Sequence, residues 1–397
     1  MKKHLFFAAL AAIALASCSN DETTAVNQGE AISFRPLVNG LTRASSTSDV
    51  NVSMATFNVT AFKHGETTSP YIDDATYNNN SSTYYVNTDV ATNGYGNEYY
   101  WPAVNLDFYA YAYNSAVSSQ ITKKAYNQFE VTPVSGLNGT YADLVFATIQ
   151  DIGKNTTYET SKKYGPDGVP LNFRHTGAKI AVNVKNTSTQ LEFDVEGWKV
   201  GFLDPTATFT LGSSETSTAG SGTLAFTDWA ATTATETSTA SVSIEYESTF
   251  TSVTFDPGAT STALDGEMIL NPQRITAATA YASDATDALL NHSYIAVKLR
   301  IKNHTNDEVI AEGAGNTTMW AIWPIGDDGG ATPFNWEPGK KYTYTIDLAN
   351  GGYYEKNQAS TTSALDPILE GAIIKFVNVT VDEWSDADGI DVSGPSL

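Results

Sequence analysis

Apolar and polar residues alternate in short runs along this chain. Val50, Val52 and Met54 lead into Phe57, Val59 and Ala61. The same period recurs in Leu106-Phe108-Ala110-Ala112, Ile180-Val182-Val184 and Val242-Ile244-Tyr246. It returns in Ile295-Val297-Leu299-Ile301 and Tyr342-Tyr344-Ile346-Leu348. Each run is bounded by Gly, Pro, Asn or Asp, the residues that punctuate strands. Successive strand side chains point to opposite faces, so a period of two predicts strands with one face packed and the other in water. Burying such faces takes two stacked sheets per domain. Stripes at helical spacing are missing. One short helix is predicted over Ser283–Leu290, with Ser283 or Asp284 as its cap. The fold class is all-β.

The N-terminus breaks this pattern. Met1-Lys2-Lys3 is a short basic start, followed by an apolar run from Leu5 to Ala16 that is too short to span a bilayer as a helix. The run ends Leu15-Ala16-Ser17-Cys18, which resembles the lipobox of bacterial lipoproteins, and Cys18 is the only cysteine in 397 residues. A lone cysteine after a secretion signal reads as a lipidated residue, with cleavage before it. Two or more acyl chains, at about 0.8 kcal/mol per buried methylene, anchor stably. An unpaired buried thiol is the alternative. The residues Ser19-Asn20-Asp21-Glu22 are polar and acidic, as expected of a tether or of a signal for the outer face of the outer membrane.

The predicted organisation is therefore a signal peptide at 1–17 and a lipidated tether at 18–30, followed by an N-terminal β domain at 31–176 and a C-terminal β domain at 177–397. The segment Ile152 to Pro170 is polar and reads as a loop leading into the junction. Thr/Ser-rich stretches from Gly212 to Gly222 and from Ala230 to Ser241 read as exposed loops or hairpin ends.

Charge narrows the function. Against 22 Lys+Arg stand 44 Asp+Glu, a formal net charge of −22. That excess argues against nucleic acid, which demands a basic footprint, and against anionic lipid headgroups. The histidines His4, His64, His175, His292 and His304 show no metal-ligand spacing. His175 reads as a packed structural residue. No nucleophile elbow and no phosphate loop is present, so neither catalysis, a cofactor nor a metal is expected. The acidic turn Asp386-Ala387-Asp388-Gly389-Ile390-Asp391 lacks a complete calcium loop. Asp327-Asp328-Gly329-Gly330 reads as a hairpin turn. The aromatics Tyr84-Tyr85, Tyr99-Tyr100-Trp101 and Tyr353-Tyr354 are either core and interface packing or a platform for sugars.

Several segments in order resemble the fimbrillin family, the type V pilins of Gram-negative anaerobes. They are ISFRPLVNGLTRAS (Ile32–Ser45), YYWPAVNLDFYAYAY (Tyr99–Tyr113), LNFRHTGAKIAVNVKN (Leu171–Asn186), MWAIWP (Met319–Pro324), NWEPGKKYTYTIDL (Asn335–Leu348) and VNVTVDEW (Val377–Trp384). The resemblance implies two tandem transthyretin-like β-sandwich domains, export as an outer-membrane lipoprotein and display on the cell surface in a fimbria. It implies that an Arg-specific trypsin-like protease cuts at the matching arginine, here the Arg43–Ala44 bond. The cut would release the first strand, carrying Ile32, Phe34 and Val38, and leave an apolar groove with unpaired backbone.

The expected filler is the C-terminal strand of another copy or of a related pilin subunit. Ile373, Val377, Val379 and Val381 lie on one face of GAIIKFVNVTVDEW, which ends at Trp384. Four or five large apolar side chains contribute roughly 8–12 kcal/mol on burial. A tail seated in the next subunit's groove is a heterologous contact, and it propagates into a filament. Without the resemblance, Arg43 reads as a solvated loop residue and the last strand as part of its own domain. A host protein or glycan is the expected receptor; a monomeric glycan-binding surface lipoprotein is the rival reading.

Overall fold

In a computed structural model, the described residues are 30–38, 56–79, 85–87, 99–113, 115–132, 143–159, 162–204, 206–210, 229–231, 244–275, 293–313, 315, 317–325, 334–350, 352–355, 365–367 and 378–383. The first strands are β1 (Phe34–Val38), β2 (Thr56–Lys63), β3 (Ile72–Asn79), β4 (Tyr85–Asn87), β5 (Leu106–Tyr113), β6 (Ile121–Ala125), β7 (Gln128–Val131), β8 (Leu144–Ile152), β9 (Thr157–Glu159), β10 (Lys162–Lys163) and β11 (Val169–His175). There follow β12 (Ala178–Lys185), β13 (Leu191–Leu203), β14 (Ala207–Thr210), β15 (Trp229–Ala231), β16 (Ile244–Phe255), β17 (Thr262–Ala263), β18 (Met268–Leu270) and β19 (Arg274–Ile275). The last are β20 (Tyr294–Asn303), β21 (Val309–Ala311), β22 (Met319–Pro324), β23 (Phe334–Asn335), β24 (Lys340–Asp347), β25 (Tyr353–Glu355), β26 (Leu365–Pro367) and β27 (Asn378–Glu383).

The all-β expectation holds. Among the described residues, helix is confined to one turn, α1 (Tyr164–Asp167), and to 3-10 turns at Ser115–Gln120 and Leu348–Asn350. The predicted helix at Ser283–Leu290 lies outside the described residues, as do most of the two Thr/Ser-rich stretches. The segment Ile152–Pro170 is more ordered than its polarity suggested: β9 pairs with β10, and α1 runs directly into β11. Gly168, at φ 73°, makes that turn, in a conformation that a side chain would strain.

The N-terminal strands close on themselves in the order β1-β11-β8-β5-β2-β3-β4, with β4 returning to β1. In the C-terminal half, a sheet ordered β17-β12-β24-β27, with β18 also on β12, faces a sheet ordered β16-β13-β20-β22-β25-β26. The two share one core, in which Ile180, Val182 and Val184 of β12 meet Trp198 of β13, Ile295 and Val297 of β20, and Trp323 of β22. Trp198 and Trp336 are fully buried yet keep hydrogen bonds: their indole nitrogens donate to the Asp265 carbonyl and to the Tyr344 hydroxyl, each at 2.8 Å.

A four-stranded sheet ordered β15-β14-β7-β6 draws strands from both sides of the Thr176–Gly177 turn. In it Phe209 of β14 sits opposite Phe129 of β7. This sheet explains a departure from the one-face-wet pattern. On β5, Leu106, Phe108, Ala110 and Ala112 face the barrel core. Tyr109 and Tyr111, on the opposite face, are also buried, against Phe62, Phe129, Phe146 and Phe209. Alternation marked the strand correctly. Tyrosine, polar at one end only, hid the second buried face. Burial pushes the Tyr109 hydroxyl up to about 12, with nearby Tyr126 and Asp107 adding to the rise.

The parallel pairing of β12 with β24 sets Lys179 directly opposite Lys341. Glu267 bonds both ammonium groups, each at 2.6 Å, and so cancels the repulsion of a like-charged cross-strand pair. Burial raises the Glu267 carboxyl, but the bonds from Lys179 and Lys341 outweigh it and hold the group below its ordinary value. A carboxylate depressed in this way adds stability above the normal carboxylate range and loses it as pH falls through the lowered value. Glu267→Gln is expected to cost about 1 kcal/mol at pH 7, after allowance for the partial exposure of Glu267. Urea unfolding at pH 7 and pH 3 checks this: the gap between variant and parent should shrink at the lower pH.

Candidate functional site: the first strand and its groove

β1 is the strand through which the N-terminal barrel closes. It runs parallel to β11 through five pairs, from Phe34↔Val169 to Val38↔Phe173. On its other side, among the described residues, it meets β4 at the single pair Phe34↔Tyr85. Among the described residues, one edge of β1 is thus firmly laddered, while the other is joined at one point.

The chain just before β1 is tied in as well. The Ile32 amide donates to the Tyr99 carbonyl at 2.7 Å, and the Trp101 amide to the Glu30 carbonyl at 3.2 Å. The Val169 amide donates to the Ser33 carbonyl at 2.9 Å. Glu30 also pairs with Lys154 at 3.5 Å. The Tyr71 hydroxyl donates to the Tyr100 carbonyl, and burial, helped by Tyr99, pushes that hydroxyl above its ordinary value, which keeps the proton on it.

Phe34 is the plug. It has no solvent exposure, and its ring meets three others edge to face: Tyr77 at 4.7 Å, Phe108 at 5.4 Å and Phe57 at 6.0 Å. Edge-to-face pairs of this kind contribute about 0.5–1.5 kcal/mol each beyond area burial. Ile32 joins the same core at 4% exposure. Arg35 is buried too, so β1 is covered on both faces at this point. Val38 is paired with Phe173.

The C-terminal strand β27 lies antiparallel on β24, with Val381 opposite Tyr342 and Val379 opposite Tyr344. Among the described residues it lies at the edge of its own domain's sheet. Cys18, Arg43, Ala44, Ile373, Val377 and Trp384 lie outside the described residues, as does the acidic turn at 386–391.

Of the two readings of Tyr99-Tyr100-Trp101, the packing one holds for Trp101 and Tyr99. Trp101 is only 7% exposed and packs against Phe108 at 5.9 Å, while Tyr99 is partly buried against the same core. His175 is a fully buried structural residue whose Nδ1 lies 2.9 Å from Asp143. Glu192, Asp256 and His304 bring ligand atoms within 4.8 Å of one another, a spacing that suits a metal ion. Glu192 is already engaged there: hydrogen bonds from Lys302 and then His304 hold its carboxyl below the ordinary range. The trio is the end of an ion-pair ladder across β13 and β20.

Among the described residues this is an all-β chain whose N-terminal sheet closes through β1 and whose strand β27 lies at a sheet edge. A family model described as Fimbrillin-like matches residues 42–384. The chain belongs to the fimbrillin-like family. Among solved structures it is similar to a putative cell adhesion protein from Bacteroides uniformis, at 14% identity and a TM-score of 0.45, covering 89% of this chain and 99% of that one. A putative cell adhesion protein from Bacteroides ovatus matches at 13% identity and a TM-score of 0.44, covering 90% and 98%. The tip fimbrial protein Mfa3 from Porphyromonas gingivalis matches at 8% identity and a TM-score of 0.38, covering 83% and 94%. No curated protein matches.

Replacing Phe34 by alanine removes a plug from a closed aromatic core. The expected loss is about 3–5 kcal/mol in the uncleaved chain, read from urea unfolding midpoints.

Proposed function

We propose that this protein is a structural and adhesive subunit of a cell-surface fimbria. It is exported as a lipoprotein anchored through Cys18 in the outer membrane, cut after Arg43 and polymerised by strand exchange. It does this without catalysis. Membership of the fimbrillin-like family supports the role, and the observation that carries the mechanism is the closure of the barrel through β1. Among the described residues β1 has five pairs on one side and a single pair on the other, so its departure breaks one ladder. Its departure uncovers Val169, Phe57, Tyr77 and Phe108 together with the backbone edge of β11. Such a groove is a template for an added strand.

In this reading Ile32, Phe34 and Val38 form the displaced strand. The segment carrying Ile373, Val377, Val379, Val381 and Trp384 is the donor. Its partners are other copies or related pilins, and the protease is an Arg-specific trypsin-like enzyme. A donor drawn from a sheet edge gives up one ladder and regains one, so backbone pairing nearly cancels and the buried side chains decide the direction. The 31–176 and 177–397 units are then an acceptor and a donor module.

Trypsin treatment of the purified protein should expose Ala44 as a new N-terminus and produce SDS-resistant ladders, and Arg43→Ala should abolish both. A clip that yields only monomers would remove strand exchange from the proposal. Phe34→Ala adds a sharper check. It should weaken the uncleaved precursor but leave the ladders as stable as those of the parent, because the substituted strand has gone. Ladder melting temperatures in SDS measure this.

A further inference from the structure

The outward face of the seven-stranded C-terminal sheet carries a polar cleft of about 500 Å³ across β13, β20 and β22. Its walls include Asp194, Glu196, Lys298, Arg300, Thr318 and Trp320. Nothing in the assembly mechanism uses it. From this cleft we infer that the protein binds neutral saccharides there, with Trp320 as the stacking surface and with Glu196 and Lys298 as the hydrogen-bonding pair.

The backbone builds the site. The pairing of β13 with β20 shifts register between Val195 and Gly197, so Glu196 is the extra residue of a β-bulge. Bulges re-aim a side chain out of the regular ladder. Gly197 permits this one, since a Cβ there would stand 2.7 Å from the Ser248 carbonyl oxygen. Trp320 sits directly opposite Lys298 in the pairing of β22 with β20. Alternation along β22 sends Met319, Ala321 and Trp323 into the core and leaves Trp320 on the outer face, partly exposed. The Lys199 ammonium lies 4.7 Å from the centre of the Trp320 ring and helps to hold the indole in place.

The polar groups divide into those already satisfied and those that are not. Asp194 accepts from Arg300 at 2.9 Å and from Thr254 at 2.8 Å, and it pairs with Lys302 at 3.2 Å. It is occupied, and it fixes the cleft wall. Glu196 accepts one hydrogen bond, from the Thr318 hydroxyl at 2.7 Å, which leaves carboxylate lone pairs to spare. Among the described residues, the partly buried Lys298 ammonium has neither an ion pair nor a hydrogen bond. A donor without a partner and an acceptor with spare capacity therefore flank a partly exposed aromatic ring.

A pyranose matches that trio. Its hydroxyls both donate and accept, and one face of the ring is apolar C–H. The cleft is of the size that takes about one or two such rings. Apolar ligands do not suit walls of this polarity. Within the cleft Lys298 and Arg300 balance Asp194 and Glu196, so it is the chain's net charge of −22 that disfavours anionic sugars. This inference is independent of cleavage and strand exchange, because the cleft lies within the folded C-terminal sheet of a single chain.

The test uses the full chain on a panel of immobilised neutral hexose and N-acetylhexosamine oligosaccharides beside sialylated and uronic-acid counterparts. Binding is expected on neutral glycans only. Trp320→Ala and Glu196→Gln are each expected to weaken it about tenfold, the loss of one stacked or charge-assisted contact, with the thermal midpoint unchanged. Should Trp320→Ala lower that midpoint, Glu196→Gln and Lys298→Gln carry the test alone. Absence of neutral-glycan binding at millimolar concentration, binding confined to acidic glycans, or binding untouched by Glu196→Gln and Lys298→Gln would each overturn the inference.

Discussion

The N-terminal half depends on a single aromatic side chain seated where its sheet closes. Phe34 bridges β11 and β4 by its backbone and three rings by its side chain, so hydrogen-bond closure and core closure happen at one residue. A barrel has no free edge only while its last strand stays in place. The strand that provides this protection lies within about 40 residues of the N-terminus, next to the one segment where cleavage is proposed. In the proposed assembly, stability of the unprocessed chain and readiness to polymerise are set by the same short piece of backbone.

Most of the architecture was legible in the alternation of residues, because period two is a direct imprint of the pleat. Ile180-Val182-Val184 and Ile295-Val297-Leu299-Ile301 all proved to be core. Faces covered by tyrosine were not legible. Tyr109 and Tyr111 read as solvent-facing, yet they form part of a second core, since the sheet that covers them is assembled from strands about 80 residues apart. The same ambiguity left Trp101 open between core and surface platform until the neighbouring strands are in position.

The outer cleft had a weaker signature. MWAIWP alternates so that Trp320 falls on the opposite face from Trp323, but nothing in that hexapeptide shows which tryptophan faces water. The bulge at Glu196 is a property of the pairing between β13 and β20, so a single strand's sequence does not announce it. Glu267 likewise appears as an isolated acid until the parallel register of β12 and β24 places two lysines beside it.

The four-stranded sheet that crosses the Thr176–Gly177 turn ties the halves mechanically. Pulling them apart strips β14 from β7 and bares Phe129 and Phe209 to water, so neither half can give way without spoiling the other. Tension along the chain is therefore carried in parallel by the covalent turn and by this shared seam. A joint of that kind resists stretching as a unit instead of unravelling from its weaker end.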